Sequence, residues 1–374
     1  MNPFGSSPQR PPGKVRQLVF INSTGNVSGA EVVLCGLVEL ARKEGFHVTV
    51  ACPPGPLVER LPPGVAHLEL PPLGLDGRAS RVGRALASVR LGARYLRAAR
   101  ALAPTVRASA TRTMVNSLLA LPTARLARPA GGIRWLVHDT VHQSKQRLIV
   151  RTSGSQVRRA VAVSEATAIP LRALHLNVTV AHLGVRWPVP PADPALHEPP
   201  VVGVLALLTP WKGHQVLLEA LAQMPGIELE LAGGSFPNDA DYVAALHRRA
   251  EQADLRGRVR FLGHVDPLST MRGWDVAVSP STSPEAGPIS MLEAMSLGVP
   301  VVGTAHGGTS EILAGGAGLL VEPGDVEALV VALGRALTDT QFRHRSFEAG
   351  RRFIAEHHDL SRTLPIMLAA LLAP

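Results

Sequence analysis

Cysteine is nearly absent. Cys35 and Cys52 are the only two, and both lie in apolar stretches. Such thiols read as small buried hydrophobes rather than as a disulfide or a reactive group, and nothing points to an oxidising compartment. Aromatic residues make up only 4% of the chain, so no stacking platform interleaves with its basic residues and nucleic acid is a poor partner. No apolar run reaches the ~18 residues that would span a bilayer. Residues 1–14 are polar and proline-rich, lack the apolar core of a signal peptide, and read as a disordered arm. A cytoplasmic protein is expected. Acidic residues are missing altogether between Asp76 and Asp139, a stretch that carries twelve arginines.

What is present is enough for two ordinary domains: 374 residues, of which 46% are hydrophobic. The formal net charge of +9 is concentrated in the acid-free stretch. At helical spacing Arg90, Arg94 and Arg97 share one face, with Leu91, Tyr95, Ala98 and Leu102 on a neighbouring inward face. The face is either a solvated helix surface or a contact for an anionic partner, phospholipid or a phosphate-bearing acceptor.

Strand-like and helix-like segments alternate along the chain. Strands are expected at 17–22, 47–52, 65–70, 133–137 and 160–164, and helices at 30–44, 79–103, 115–127 and 165–174. Alternation of this kind predicts parallel sheets covered by helices on both faces. A proline-rich stretch at 187–200 reads as a linker. Beyond it the alternation restarts, with strands at 201–207, 227–232, 259–262, 276–279 and 299–303 and helices at 213–223, 239–253 and 291–297. The expected organisation is an arm at 1–14, an α/β domain at 15–186, the linker at 187–200, a second α/β domain at 201–357, and a terminal helix within 358–374.

Glu285 and Glu293 carry the strongest chemical signal. Glu285 lies in a Gly/Pro loop that opens a helix-forming run from Met291 to Leu297, and Glu293 lies inside that run. A helix N-terminus presents N–H groups and the positive end of a dipole, which suits phosphate. One acid near the loop and one two turns down the helix would hold a sugar and a ribose on either side of it. Lys212, in the turn Pro210-Trp211-Lys212-Gly213 after a strand, adds a point charge suited to phosphate. His138 ends an apolar strand, from which it would reach a cleft.

Several segments occur in one order along the chain: Ser28-Gly29-Ala30-Glu31, His138-Asp139, Val163-Ser164-Glu165-Ala166, Pro210-Trp211-Lys212-Gly213, Glu285 to Glu293, Gly307-Gly308-Thr309-Ser310-Glu311 and Gly318-Leu319-Leu320-Val321. Together they resemble the motifs of retaining glycosyltransferases of family 4, including the Glu-x7-Glu motif. The resemblance implies a GT-B fold, two Rossmann-like domains with doubly wound parallel sheets facing a cleft, with the last helix crossing back onto the first domain. It implies transfer of a sugar from a nucleotide-diphosphate sugar to a hydroxyl acceptor (polysaccharide, glycolipid or natural product) with retention, without a metal or other cofactor. By resemblance His138, Lys212 and Glu285 are catalytic, and Gly29, Val265, Ile289, Ser290 and Glu293 bind the donor, Val265 through the loop backbone of Gly263-His264-Val265 at the base.

Three departures stand out. Leu207 occupies the position where the family usually places a second phosphate-binding arginine, Ser28 replaces the first glycine of its loop, and Pro288 has no N–H to give. A degenerate subunit that binds nucleotide sugar, or a nucleotide-sugar epimerase, is the alternative reading. Asp239-Ala240-Asp241 has the spacing of a metal-binding Asp-x-Asp motif, but at a helix start acids are expected as caps.

Overall fold

The computed structural model describes residues 17–74 and 81–374; the arm expected at 1–14, and Arg78, lie outside them. A first parallel sheet is built from β1 (Gln17–Ile21), β2 (His47–Cys52), β3 (Ala66–Glu69), β4 (Thr111–Val115), β5 (Ile133–Val137), β6 (Val157–Ala162) and β7 (Val178–Val180). Their spatial order is β3-β2-β1-β4-β5-β6-β7. The second sheet contains β8 (Val201–Leu205), β9 (Glu228–Ala232), β10 (Val259–Gly263), β11 (Val276–Ser279), β12 (Val301–Thr304) and β13 (Gly318–Val321), in the order β10-β9-β8-β11-β12-β13. In each sheet the order reverses once, between β1 and β4 and between β8 and β11. Such switch points open a crevice beyond the C-terminal strand ends, where ligands bind.

The connections are helical: α1 (Gly29–Lys43), α2 (Pro56–Glu59), α3 (Arg81–Val106), α4 (Leu121–Ala127), α5 (Ser144–Ser153) and α6 (Glu165–Arg172) serve the first sheet. The second has α7 (His214–Ala222), α8 (Ala240–Ala250), α9 (Pro267–Met271), α10 (Ile289–Leu297), α11 (Gly307–Leu313), α12 (Val326–Thr338) and α13 (Thr340–His357). The last helix, α14 (Leu360–Leu372), leaves the second sheet and packs on α1, β5 and β6 of the first.

The strand period of two divides the core. In β1, Leu18 and Phe20 join the core that holds α1, while Val19 and Ile21 join the one that holds α3 and α4. The first of these cores runs on into α10, α13 and α14, so one continuous apolar body joins the two halves. Each such fully buried side chain contributes about 1.5–3 kcal/mol relative to exposure.

Two sequence expectations are corrected. Residues 115–127 are not one helix: β4 ends at Val115, a short 3₁₀ turn follows at Leu118–Ala120, and α4 begins at Leu121. Thr-Arg-Thr-Met-Val hides a central strand because its threonines are polar, yet Thr111 and Thr113 are buried between β1 and β5. The arginine face is also less uniform than the spacing implies. Arg90 and Arg97 are exposed, but Arg94 is half-buried and its Nη1 donates to Gly74 O at 3.4 Å. Among the described residues no helix is long and apolar enough to cross a membrane.

Candidate active site

The site forms where the two switch points face each other. β8 leads into the turn Pro210–Lys212, which Gly213 ends in a left-handed conformation (φ 73°). A Cβ at Gly213 would overlap Pro280 O, so glycine lets this turn lie against the strand end of β11. Thr282 N donates to Trp211 O at 2.8 Å and fixes the same contact. The result brings Lys212 Nζ to 2.5 Å from Glu285 Oε2, with Nζ also 4.3 Å from the Trp211 ring centre.

Glu285 is only 6% exposed. Its Oε1 accepts from Ser279 Oγ at 2.9 Å and from Ser281 Oγ. Burial alone would raise its pKa, but the Lys212 ammonium and the two serine hydroxyls prevail and hold the carboxyl below the usual range. Its backbone is equally constrained: Gly308 N donates to Glu285 O at 2.7 Å, and Gly307 (φ 56°) leaves no room for a Cβ against Glu285 O.

Pro288 is the N-cap of α10 and offers no side-chain acceptor, so Ile289 and Ser290 open the helix as its first two residues. Glu293 is the fifth residue of α10, and its pKa is pushed up to about 7, first by burial and then by the nearby Asp266 charge. Asp266 caps α9, accepting from Ser269 N at 3.0 Å. Val265, two residues past β10, packs against the core. Leu207 is half-buried beyond β8, adding no charge beside Lys212.

On the opposite wall, a relay of amides ties three strand ends together. His138 Nε2 lies 3.2 Å from Asn116 Oδ1, Asn116 Nδ2 donates to Asn22 Oδ1 at 3.1 Å, and Asn22 Nδ2 donates to Glu31 Oε1 at 3.0 Å. Asn116 Oδ1 is an amide oxygen and can only accept, so its bond to His138 places the ring proton on Nε2. Burial lowers the His138 pKa to about 4, so the ring is neutral at pH 7 and presents Nδ1 as an acceptor. Glu31 also takes Ser28 N at 2.9 Å and Ser28 Oγ at 2.5 Å. Ser28 is therefore the N-cap of a capping box on α1, which is what the serine in place of glycine does here.

The walls touch. A Cβ on Gly29 would come within 3.3 Å of Ile289 Cδ1, and Thr140 Oγ1 donates to Pro284 O at 3.1 Å. Residues named from sequence on both halves thus converge on one cleft: Gly29 and His138 on one wall, Lys212, Glu285, Ile289, Ser290 and Glu293 on the other. Asn22, Asn116, Thr140, Ser279 and Ser281 were missed. A usable signal exists at Asn22, a polar residue directly after the apolar strand β1; Asn116 follows the threonine-rich β4 and carries none. Asp239 is the N-cap position of α8 without a side-chain cap bond, and Asp241 is in its first turn. Among the described residues no group of three or more His, Cys, Asp or Glu is arranged to hold a metal ion.

Residues 189–353 match the model of a family described as glycosyl transferases group 1. The lipopolysaccharide core biosynthesis glycosyltransferase LpsE of Rhizobium meliloti is 33% identical over 155 residues, 41% of this chain and 44% of that protein. The D-inositol 3-phosphate glycosyltransferase of Mycobacterium tuberculosis is 28% identical over 201 residues, 52% of this chain and 42% of that one. The chain thus spans less than half the length of these curated relatives. Similarity to solved structures covers both halves. Anabaena HepE in complex with UDP and glucose superposes with a TM-score of 0.77 at 21% identity, over 96% of this chain and 99% of that one. Sucrose-phosphate synthase from Thermosynechococcus elongatus gives 0.78 at 20% identity, over 94% and 97%. The fold is GT-B: two Rossmann-like domains around a cleft.

Proposed function

We propose that the protein is a glycosyltransferase of the family 4 type, moving a sugar from a nucleoside-diphosphate sugar to a hydroxyl acceptor with retention and without a metal. The observation that carries this is the buried Lys212–Glu285 pair at the foot of α10. In glycosyl transfer the C1–O bond to the diphosphate breaks, negative charge gathers on the diphosphate and positive charge at C1. Lys212 and the N-terminus of α10 are set to meet the first, and the ionised Glu285 the second. Attack by the acceptor oxygen on the face the diphosphate leaves retains the configuration. In this reading Glu293 would take the ribose hydroxyls and Val265 the base through its backbone.

On the other wall the neutral His138 accepts from a sugar or acceptor hydroxyl through Nδ1. The acceptor enters from this side, whose outer helix α3 exposes Arg90 and Arg97 and would rest on an anionic membrane at the cytoplasmic face. The curated relatives and the matched family, all named as glycosyltransferases, support the reaction class. A pure binding subunit is disfavoured by the intact Lys212, Glu285 and Glu293.

The test is a transfer reaction with UDP- and GDP-sugars in EDTA, with product anomers read by NMR. The expected product has the donor's anomeric configuration at undiminished rate. Inversion, or turnover that returns only with Mn²⁺ or Mg²⁺, overturns the reading and turns attention to Asp239 and Asp241.

A further inference from the structure

α6 has its own cap. Ser164 Oγ accepts from Thr167 N at 3.3 Å, which serves the third residue of the helix and leaves the N–H groups of Glu165 and Ala166 to find other acceptors. Those acceptors come from the other domain. Glu311 Oε2 takes Glu165 N at 2.9 Å and Glu311 Oε1 takes Ala166 N at 2.6 Å. The Glu165 side chain, which would repel a second carboxylate, is turned aside and neutralised by Arg172 at 2.5 Å. One carboxylate thus straddles the positive end of an N-domain helix dipole.

Glu311 sits one helical turn after Gly307 and Gly308, and those two glycines are the backbone against which Glu285 rests. The same loop is touched from the N-domain at two further points: Thr140 on Pro284, and Leu183, whose Cδ1 lies 3.1 Å from where a Cβ on Gly287 would stand. A cavity of about 230 Å³ lies behind the contact, lined in part by Ser164, Leu183, Gly287 and Glu311.

We infer that Glu311 is a positioning residue: its carboxylate latches the two domains together through the N-terminus of α6, and α11 relays that closure to the backbone of Glu285. The inference rests on the glycosyltransferase reading only for its consequence on turnover. Closure of the cleft and the setting of Glu285 become one event, so Lys212 and Glu285 reach their working geometry when the acceptor wall is in place.

The test compares wild type with Glu311→Ala and Glu311→Gln. Small-angle scattering and amide exchange are recorded without substrate, and kcat and the Kd of UDP or GDP are then measured. Expected for Glu311→Ala are a larger radius of gyration and faster exchange at Gly308 and across 285–289 as well as at Glu165 and Ala166. The kcat falls about tenfold or more, as the loss of a charged hydrogen-bonded contact implies. The nucleotide Kd changes less than kcat does, because Val265 and Glu293, assigned to the nucleoside, stand on the second domain outside the loosened loop. Glu311→Gln, which keeps an acceptor oxygen but not the charge, falls between and covers the case in which the alanine variant does not fold. Exchange that rises at Glu165 and Ala166 alone, with unchanged scattering in both variants, would reduce Glu311 to a local cap and overturn the inference. Scattering and exchange need no substrate, so they decide it even where sugar transfer is absent.

Discussion

Lys212 and Glu285 neutralise each other in a place water barely reaches, so their removals are not equivalent. Lys212→Met leaves a buried carboxylate with only two serine hydroxyls, a change that typically costs about 3–5 kcal/mol. Thermal unfolding should register it as a large drop in Tm at pH 7 that shrinks in acid. The sign follows from the depressed pKa of Glu285: its stabilisation is present above the unfolded carboxylate value and is lost as pH falls through the folded one. Glu285→Gln keeps the serine contacts and should melt much closer to wild type while turnover nearly vanishes. Lys212→Met melting like wild type at pH 7 would contradict the pairing. Glu293 behaves in the opposite sense. With its pKa raised from 4.5 to about 7, it contributes fully below pH ~4.5 and costs about 3 kcal/mol once ionised above 7. Ribose hydroxyls that donate to the carboxylate favour the ionised form, so nucleotide affinity should strengthen as pH rises through about 7. Calorimetric titration with UDP and GDP from pH 5.5 to 8.5 reads this, and a flat profile in wild type, or a slope retained in Glu293→Gln, speaks against the assignment.

At the scale of elements, the site is held by turns that admit only small residues. Gly307 is left-handed and pressed on the Glu285 carbonyl, so Gly307→Ala should displace the loop. Turnover is expected to fall well beyond any loss of Tm, because strain at such a position costs about 1–3 kcal/mol and is delivered to the Glu285 backbone; turnover at the wild-type level would mean that the loop is not set by α11. The strand-then-motif rhythm made most of this readable beforehand. His138, Lys212 and Glu285 each follow an apolar strand, and the helix-forming run after Glu285 marks α10 at once. What stayed hidden depends on long-range pairing. β4 owes its place to β1 and β5 rather than to its own threonines, and β7 has only three residues. The amide relay joins Asn22 to Asn116, residues 94 apart in sequence, and no local pattern announces such a bond. Burial of Glu285 was equally invisible, since a Gly/Pro loop usually lies in solvent.

For the whole molecule, the division of labour proposed between the two walls predicts which surface would meet an acceptor. α3 exposes Arg90, Arg97 and Arg100 together with Val89 at 74% and Leu96 at 46%, while Arg94 is committed to Gly74. Each exposed arginine at an anionic surface is worth about 1 kcal/mol, screened over about 10 Å at 0.1 M salt. Changing Arg90, Arg97 and Arg100 to Gln should release the protein from anionic vesicles and leave turnover on a soluble acceptor unchanged. Equal binding of wild type to neutral and anionic vesicles would make α3 a solvated face. The central claim, that the Lys212–Glu285 pair breaks the bond between a sugar and a nucleoside diphosphate, is tested most directly by diphosphate release. Wild type and Glu285→Gln would be incubated in EDTA with a panel of UDP- and GDP-sugars, and free nucleoside diphosphate counted. Release by wild type from at least one donor, falling by about a thousandfold in the variant as loss of a key transition-state contact implies, is the predicted result. Nucleotide binding by wild type with no release from any donor, or release that the variant sustains, would contradict it.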